Sequence, residues 1–194
     1  MKRPPTVDLV LVSHGHSDHM GDLLTVVRDG SPPVVAIVEL CDWLARKGVT
    51  NVSPMNKGGS QDIAGLRLTM TDARHSSGFV HDGQMVFVGE PAGYVVRLED
   101  GRAIYFAGDT SLFGDMRLIG EMYAPEIAFL PIGDRFTMDP AAAARACDLL
   151  GVRQVVPMHW GTFPMLTGRP EDLRTLVEPR GVQVLELRPG ETAE

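Results

Sequence analysis

One hexapeptide constrains this chain more than any other feature of its sequence. His14-Gly15-His16-Ser17-Asp18-His19 directly follows an apolar run over residues 7–13 that is typical of a β-strand. Only six histidines occur in the 194 residues, and three of them stand in this hexapeptide. If positions are treated as independent, chance produces the spacing His-x-His-x-Asp-His in roughly four of ten thousand such chains. The hexapeptide therefore predicts a metal centre at the end of a strand.

The spacing within the hexapeptide suits two neighbouring cations. His14 and His16 are two positions apart at an extended strand end, so their side chains project to the same side and can share one ion. Asp18 and His19 follow where the chain turns, and they can face a second ion. Imidazole and carboxylate groups suit zinc, iron and manganese at hydrolytic centres.

The remaining sequence alternates between strand and helix patterns, which predicts one mixed α/β domain over residues 1–194. Glu99-Asp100-Gly101 predicts a hairpin, so the centre of the sheet should be antiparallel rather than doubly wound and parallel. Asp139-Pro140 predicts a helix start. Strands are predicted over residues 7–13, 34–38, 66–71, 85–89, 94–98, 103–107, 127–132, 154–158 and 182–187, and helices over 20–28, 39–47, 112–123, 140–150 and 170–178.

Composition excludes several classes of function. The net charge of −7 argues against a nucleic-acid partner, which would need a basic face. The longest plain aliphatic stretch, residues 34–38, is far shorter than the roughly 20 residues of a membrane span. Cys41 and Cys147 are far apart and lack a CxxC spacing, so two buried reduced thiols are expected. We expect a cytoplasmic protein that acts on a small molecule.

The hexapeptide and several later segments together resemble the metallo-β-lactamase superfamily. The later segments are residues 21–22, 74–78, 89–93, 106–110, 136–138 and 157–164. They resemble a branch related to the lactonase that acts on ascorbate 6-phosphate, and the resemblance covers nearly the whole chain. It implies a four-layer αββα sandwich of the α/β (α+β) class. It also implies a metal-dependent hydrolase that cleaves a small ester, lactone or phosphodiester.

The resemblance implies two divalent ions, Zn²⁺ first and Mn²⁺ or Fe²⁺ as alternatives, that activate a hydroxide. The bridging carboxylate of Asp109 would fix the spacing of the ions, and Asp18 could orient the hydroxide or return a proton to the leaving group. The implied ligands are His14, His16 and His75 for the first ion, Asp18, His19 and His159 for the second, and Asp109 between them.

Outside the ligands, the sequence leaves several roles open. Trp160 and Phe163 could wall a substrate pocket or pack beneath it. Arg135 could meet an anionic substrate or form a structural ion pair. His81, in His81-Asp82-Gly83, is expected in a solvated turn, and a contact with a ligand or with substrate is the alternative.

Two other hypotheses compete with the hydrolase. One is an iron-dependent redox enzyme of the same fold. The other is a non-catalytic or N-terminally incomplete metal-binding protein, because in the resembled family several strands precede the histidine motif. Here only residues 1–6 precede its strand, so about 40 family residues are expected to be missing, an estimate that rests on the resemblance. We then expect an incomplete N-terminal sheet with exposed aliphatic side chains, or a homo-oligomer in which a second copy covers that edge.

Overall fold

The computed structural model describes residues 7–27, 32–188 and 190–192. Its N-terminal part contains a parallel sheet whose described strands run in the order β1-β2-β3. A nine-residue helix, α3, directly follows β2. The elements of this part are β1 (Val10–Leu11), α1 (Ser17–Met20), α2 (Leu23–Val26), β2 (Val34–Ile37), α3 (Val38–Arg46) and β3 (Val52–Met55).

The rest of the described chain forms a hairpin and a larger mixed sheet. The elements in chain order are β4 (Ser60–Ile63), β5 (Leu66–Asp72), β6 (Phe79–His81), β7 (Gln84–Val86), β8 (Ala92–Arg97), β9 (Ala103–Phe106), α4 (Met116–Tyr123), β10 (Ile127–Pro131), α5 (Pro140–Leu150), β11 (Gln154–Met158), α6 (Pro170–Val177) and β12 (Gln183–Val184). Strands β6 and β7 pair only with each other in the described part, and the other seven have the order β12-β11-β10-β9-β8-β5-β4. Strands β9 to β12 are parallel, whereas β4, β5, β8 and β9 pair antiparallel, which confirms a mixed α/β fold with antiparallel pairs.

Alternation along β8 explains how the layers are stacked. Ala92 and Tyr94 point into a core shared with the N-terminal sheet and α3, whereas Val95 points into a second core shared with α4, α5 and α6. Successive side chains of a strand face opposite sides, so the larger sheet buries both of its faces. The hydroxyl of Tyr94 donates to the carbonyl oxygen of Val12 at 2.8 Å, which joins the two sheets. The expected sandwich, with two sheets between helices, is therefore present.

Helix α5 begins and ends where the sequence predicts. The side chain of Asp139 accepts from the backbone N–H of Ala142 at 2.7 Å, and Pro140 occupies the first turn. The helix ends at Gly151, whose φ of 68° lies in the left-handed region that glycine adopts without a steric penalty. Local sequence thus determines both ends of this helix.

Several predicted elements differ from the observed ones. The strand predicted over residues 7–13 is reduced to the two-residue β1 because the chain leaves the first sheet: Val12 N–H still donates to Val35, but the carbonyl of Ser13 accepts from Ala92 of the other sheet. In place of the helix predicted over 20–28 the chain has two short helices, α1, which begins before the predicted start, and α2. The predicted end at 28–30 lies outside the described residues. Strands β3, β4 and β6 were not predicted, since Pro54 and polar side chains interrupt their apolar patterns.

Other sequence expectations have mixed outcomes. Cys41 and Cys147 are buried and unpaired, as predicted. Among the described strands β1 lies at one edge of its sheet, and Val10 and Leu11 are half-buried. The expectation that family strands are missing before the histidine motif stays a prediction, and residues 1–6 lie outside the described part. No helix among the described residues is long and apolar enough to cross a membrane.

Candidate metal centre

The candidate ligands lie in segments that follow four strands, and two of them, Asp18 and His19, belong to the short helix α1. His14 to His19 come after β1, His75 after β5, Asp109 after β9 and His159 after β11. Strands β5, β9 and β11 run in the same direction, so their carboxyl ends meet at one edge of the large sheet. Loops at such an edge can gather side chains above a rigid scaffold. Residues up to 145 positions apart in sequence are thereby brought together.

The first ligand group consists of three imidazoles, His14, His16 and His75. One nitrogen of each ring lies within 4.8 Å of the others. His14 Nε2 and His16 Nδ1 are 3.0 Å apart, and His14 is buried whereas the other two are half-buried. Three nitrogen donors around one point are typical of a zinc-type site.

The second ligand group consists of Asp18, His19, Asp109 and His159, and its donor atoms also lie within 4.8 Å of one another. His159 Nε2 is 3.2 Å from Asp109 Oδ2, and His19 Nε2 is 3.4 Å from the same oxygen. Asp18 Oδ2 lies 3.6 Å from His19 Nε2 and 3.7 Å from His159 Nε2. The side chain of Asp18 is 50% exposed, so this group opens to solvent.

Asp109 connects the two groups. Besides its contacts in the second group, Asp109 Oδ2 lies 3.9 Å from His14 Nε2 and 3.7 Å from His75 Nε2. These separations exceed hydrogen-bond lengths, but two ligands bound tetrahedrally to one ion at about 2.1 Å are about 3.4 Å apart. The other oxygen, Oδ1, is buried without a hydrogen-bond partner among the described residues. The spacing of these donors and the unpartnered Oδ1 therefore suit metal binding.

Close backbone contacts hold the ligand loops. A Cβ atom on Gly15 would lie 2.2 Å from Val88 Cγ2, so only glycine allows the chain between His14 and His16 to pack against the segment after β7. A Cβ atom on Gly133 would lie 2.1 Å from the carbonyl oxygen of His159. His159 itself has a φ of 55°, an uncommon conformation for a residue other than glycine. Strain of this kind is concentrated at functional sites.

Burial and mutual charge control protonation in the cluster. Burial, assisted by the neighbouring His19, lowers the pKa of His14 to about 3, and burial also lowers the pKa of His75. Burial alone would raise the pKa of Asp109, but the hydrogen bond and charge of His19 and the nearby imidazoles outweigh it and lower that pKa. In His19 burial is likewise outweighed, by Asp109 and Asp18, so its pKa is raised. Neutral imidazoles beside an ionised carboxylate are the forms that bind a cation.

The structure also identifies supporting residues that the sequence analysis did not single out. Ser13 Oγ lies 3.1 Å from His14 Nδ1 and 3.3 Å from His19 Nδ1. Ser76 Oγ lies 3.1 Å from His16 Nε2. Each serine adjoins a histidine in sequence, and this proximity was the only sequence feature that could have indicated a supporting role.

The predicted substrate contacts fall into two types. Trp160 is half-buried, packs against the helix-side core and donates from Nε1 to the carbonyl oxygen of Pro157 at 3.2 Å, which favours the packing alternative. Phe163 is 55% exposed. Arg135 is exposed beside the ring of Phe136, and it makes no ion pair within the described part of the chain, so the structural ion pair is not found.

His81 belongs to the hairpin formed by β6 and β7. Its Nε2 lies 2.6 Å from Lys47 Nζ, and its ring meets Trp43 of α3 edge to face. The turn that follows is Asp82-Gly83, as predicted, but His81 is fixed against α3 rather than free in solvent. It contacts none of the candidate ligands in the described structure.

Comparison with known proteins identifies the family. The Beta-lactamase superfamily domain matches residues 1–160. A UPF0173 metal-dependent hydrolase of Solibacter usitatus is 52% identical over 188 residues, which cover 97% of this chain and 82% of that protein. Another, from Methanopyrus kandleri, is 47% identical over 197 residues and covers 100% of this chain and 85% of that protein.

A solved structure supports the same assignment. Igni18, a metallo hydrolase from the hyperthermophilic archaeon Ignicoccus hospitalis, has a TM-score of 0.86 and 39% identity, with 96% of this chain and 78% of that chain covered. These relatives carry hydrolase names, which supports the hydrolase hypothesis over the redox and non-catalytic alternatives. With its histidine and aspartate cluster at the sheet edge, the chain belongs to the metallo-β-lactamase superfamily and is a metal-dependent hydrolase.

Proposed function

We propose that this chain hydrolyses a small ester, lactone or phosphodiester at two divalent ions, one in each ligand group. The observation that carries the proposal is the position of Asp109 Oδ2, which lies within 3.9 Å of imidazole nitrogens from both groups. Imidazole and carboxylate donors without sulfur suit zinc best, with manganese or iron(II) as alternatives.

The side chains have distinct roles in this proposal. Two such ions, when bound, supply a water of lowered pKa and polarise the oxygen of the scissile bond. Asp109 stays ionised, because the neighbouring imidazoles lower its pKa, and it fixes the distance between the groups. Asp18 is half-exposed beside His19 and His159, so its carboxylate can take up a proton and return it to the leaving group. The reaction requires no protein nucleophile.

Two exposed side chains near the ligand loops are available to contact the substrate, and one of them, Arg135, is cationic and favours an anionic group. Arg135 belongs to a loop that is joined to the ligand Asp109 by two backbone hydrogen bonds. Asp134 N–H donates to the carbonyl oxygen of Met138, and Met138 N–H donates to that of Thr110, which adjoins Asp109. Its guanidinium has no carboxylate partner among the described residues. Phe163 follows His159 by four positions and offers an exposed apolar ring. We assign the substrate's charged group to Arg135 and place Phe163 at the rim.

The cellular setting and the partners belong to the same proposal. The two buried, unpaired cysteines agree with a reducing compartment, and we place the protein in the cytoplasm. Its partner is a small molecule rather than a nucleic acid, because the net charge is −7.

Metal analysis combined with a substrate panel tests the proposed function. We expect about two zinc equivalents per chain in loaded protein, and turnover of a lactone, ester or phosphodiester that a strong chelator abolishes. Penicillin should be a poor substrate. Turnover that persists in metal-free protein would contradict the proposed mechanism. A single metal equivalent in fully loaded protein would exclude the dinuclear site.

A further inference from the structure

Ser13 occupies a position shared by the two ligand groups. It is the residue before His14 and is 5% exposed. Its hydroxyl oxygen lies 3.1 Å from Nδ1 of His14, in the first group, and 3.3 Å from Nδ1 of His19, in the second. The rings of His14 and His19 are 4.1 Å apart between centroids, so one small side chain reaches both.

The orientation of the two rings determines which nitrogens can meet Ser13 as donors. In both rings Nε2 faces Asp109 Oδ2, at 3.9 Å from His14 and 3.4 Å from His19. A neutral imidazole that uses Nε2 as a ligand atom carries its hydrogen on Nδ1. A hydroxyl oxygen has two lone pairs, so Ser13 Oγ can accept both N–H groups at once.

We propose that Ser13 is a positioning residue that holds His14 and His19 as Nδ1–H tautomers and thereby supports both metal sites with one hydroxyl. This inference rests on the proposed function, since it assigns the Nε2 atoms to cations. Hydrogen bonds behind a ligating histidine fix its tautomer and ring orientation, and their loss typically weakens metal binding about 10–100-fold. Ser13 should therefore affect both sites.

Ser76 provides a natural contrast within the same cluster. Its hydroxyl lies 3.1 Å from Nε2 of His16, the ring that faces the first group through Nδ1. Ser76 is exposed, so water can replace its hydroxyl, and among the described imidazoles it contacts His16 alone. Its removal should weaken the first site only, and by less than the removal of Ser13.

The variants Ser13→Ala and Ser76→Ala test this difference through metal affinity. Thr69→Val is the matched control, because it removes a buried hydroxyl whose partner is the hydroxyl of Ser60 rather than a ligand. Each protein would be titrated with zinc against a chromophoric chelator. We expect Ser13→Ala to weaken both sites about 10–100-fold, Ser76→Ala to weaken one site by less, and Thr69→Val to bind like wild type.

Imidazole ¹H–¹⁵N NMR of the zinc-loaded wild type supplies a measurement that needs no variant. We expect slowly exchanging Nδ1–H signals from His14 and His19, both of which shift in Ser13→Ala. Fast exchange of both signals in wild type would overturn the inference even if Ser13→Ala fails to fold. Wild-type affinities in folded Ser13→Ala would also overturn it. If wild type binds fewer than two ions, the proposed function fails, which is a separate result.

Discussion

The two ligand groups meet at Asp109 but differ in chemistry. The first contains three imidazoles and is the more enclosed, since His14 is fully buried and His75 is 12% exposed. The second contains two imidazoles and two carboxylates, and the side chain of Asp18 is 50% exposed. Burial lowers the pKa of His14 and His75, whereas the carboxylates raise the pKa of His19.

This difference indicates a division of labour within one cluster. In the first group burial lowers the pKa of His14 and His75, so these two imidazoles bind a cation with little competition from protons near neutral pH. A group with two carboxylates carries the negative charge, reaches solvent and can exchange a proton with a substrate. We therefore expect the first group mainly to bind its metal ion and the second group to take part in cleavage of the substrate bond. The following predictions test that expectation.

The largest effect should come from Asp109→Ala, which removes the residue that both groups share. We expect it to weaken both sites by more than about 100-fold and to abolish turnover, because it takes away a ligand and the only buried carboxylate of the cluster. His75→Ala and His159→Ala should each lose one metal equivalent, and not the same one. Equilibrium metal analysis of the three variants checks this. Retention of both ions by Asp109→Ala would contradict the shared-ligand arrangement.

A smaller effect concerns the stability of the metal-free protein between pH 7 and pH 5. The pKa of His14 falls from 6.5 to about 3 on folding, so its contribution to the free energy of unfolding is full above pH 6.5. That contribution is lost as the pH falls, because the unfolded chain then binds a proton that the folded chain does not bind. The pKa of His19 is raised, so its contribution is present below pH 6.5 and is lost as the pH rises through the raised value. The two groups therefore act in opposite directions.

Thermal unfolding in chelator measures this opposition. His14→Gln should flatten the decrease in Tm from pH 7 to pH 5, and His19→Gln should make it steeper. Equal slopes in wild type and both variants would show that the two groups do not differ in protonation.

The smallest effect is expected from Arg135→Ala. Its side chain is exposed and forms no ion pair within the described residues, so Tm and the metal content of both groups should stay within error of wild type. KM for an anionic substrate should rise several-fold, while KM for a neutral analogue stays unchanged. Arg169→Ala, also at an exposed arginine, is the control. An equal rise for both substrates would remove Arg135 from substrate binding.

Local sequence patterns predicted much of the fold. At the start of α5 the side chain of Asp139 caps the helix and Pro140 restricts φ to a helical value. At its end Gly151 adopts the left-handed conformation. The hairpin at Glu99-Asp100-Gly101 connects the antiparallel strands β8 and β9, and Gly101 has a φ of 89°. These features depend on neighbours in sequence, so the sequence alone is sufficient to place them.

Patterns that depend on distant partners were predicted poorly. Strand β4 has alternating exposed and half-buried side chains, and it is a strand because it pairs with β5. The chain leaves the first sheet at Ser13 because Ala92 offers a backbone donor from the other sheet. Propensity within a short window cannot contain such information.

For the site, the sequence determined the chemistry and the tertiary structure decided the arrangement. The spacing of His14, His16, Asp18 and His19 predicted metal binding, because side chains so close in sequence at the end of a strand point to one place whatever the rest of the fold is. His75, Asp109 and His159 entered only through a family resemblance, and the parallel ends of β5, β9 and β11 bring them together. Tertiary structure alone placed Ser13 between two imidazoles, since a hydroxyl's partners depend on the approach of chain segments that the sequence does not order in space.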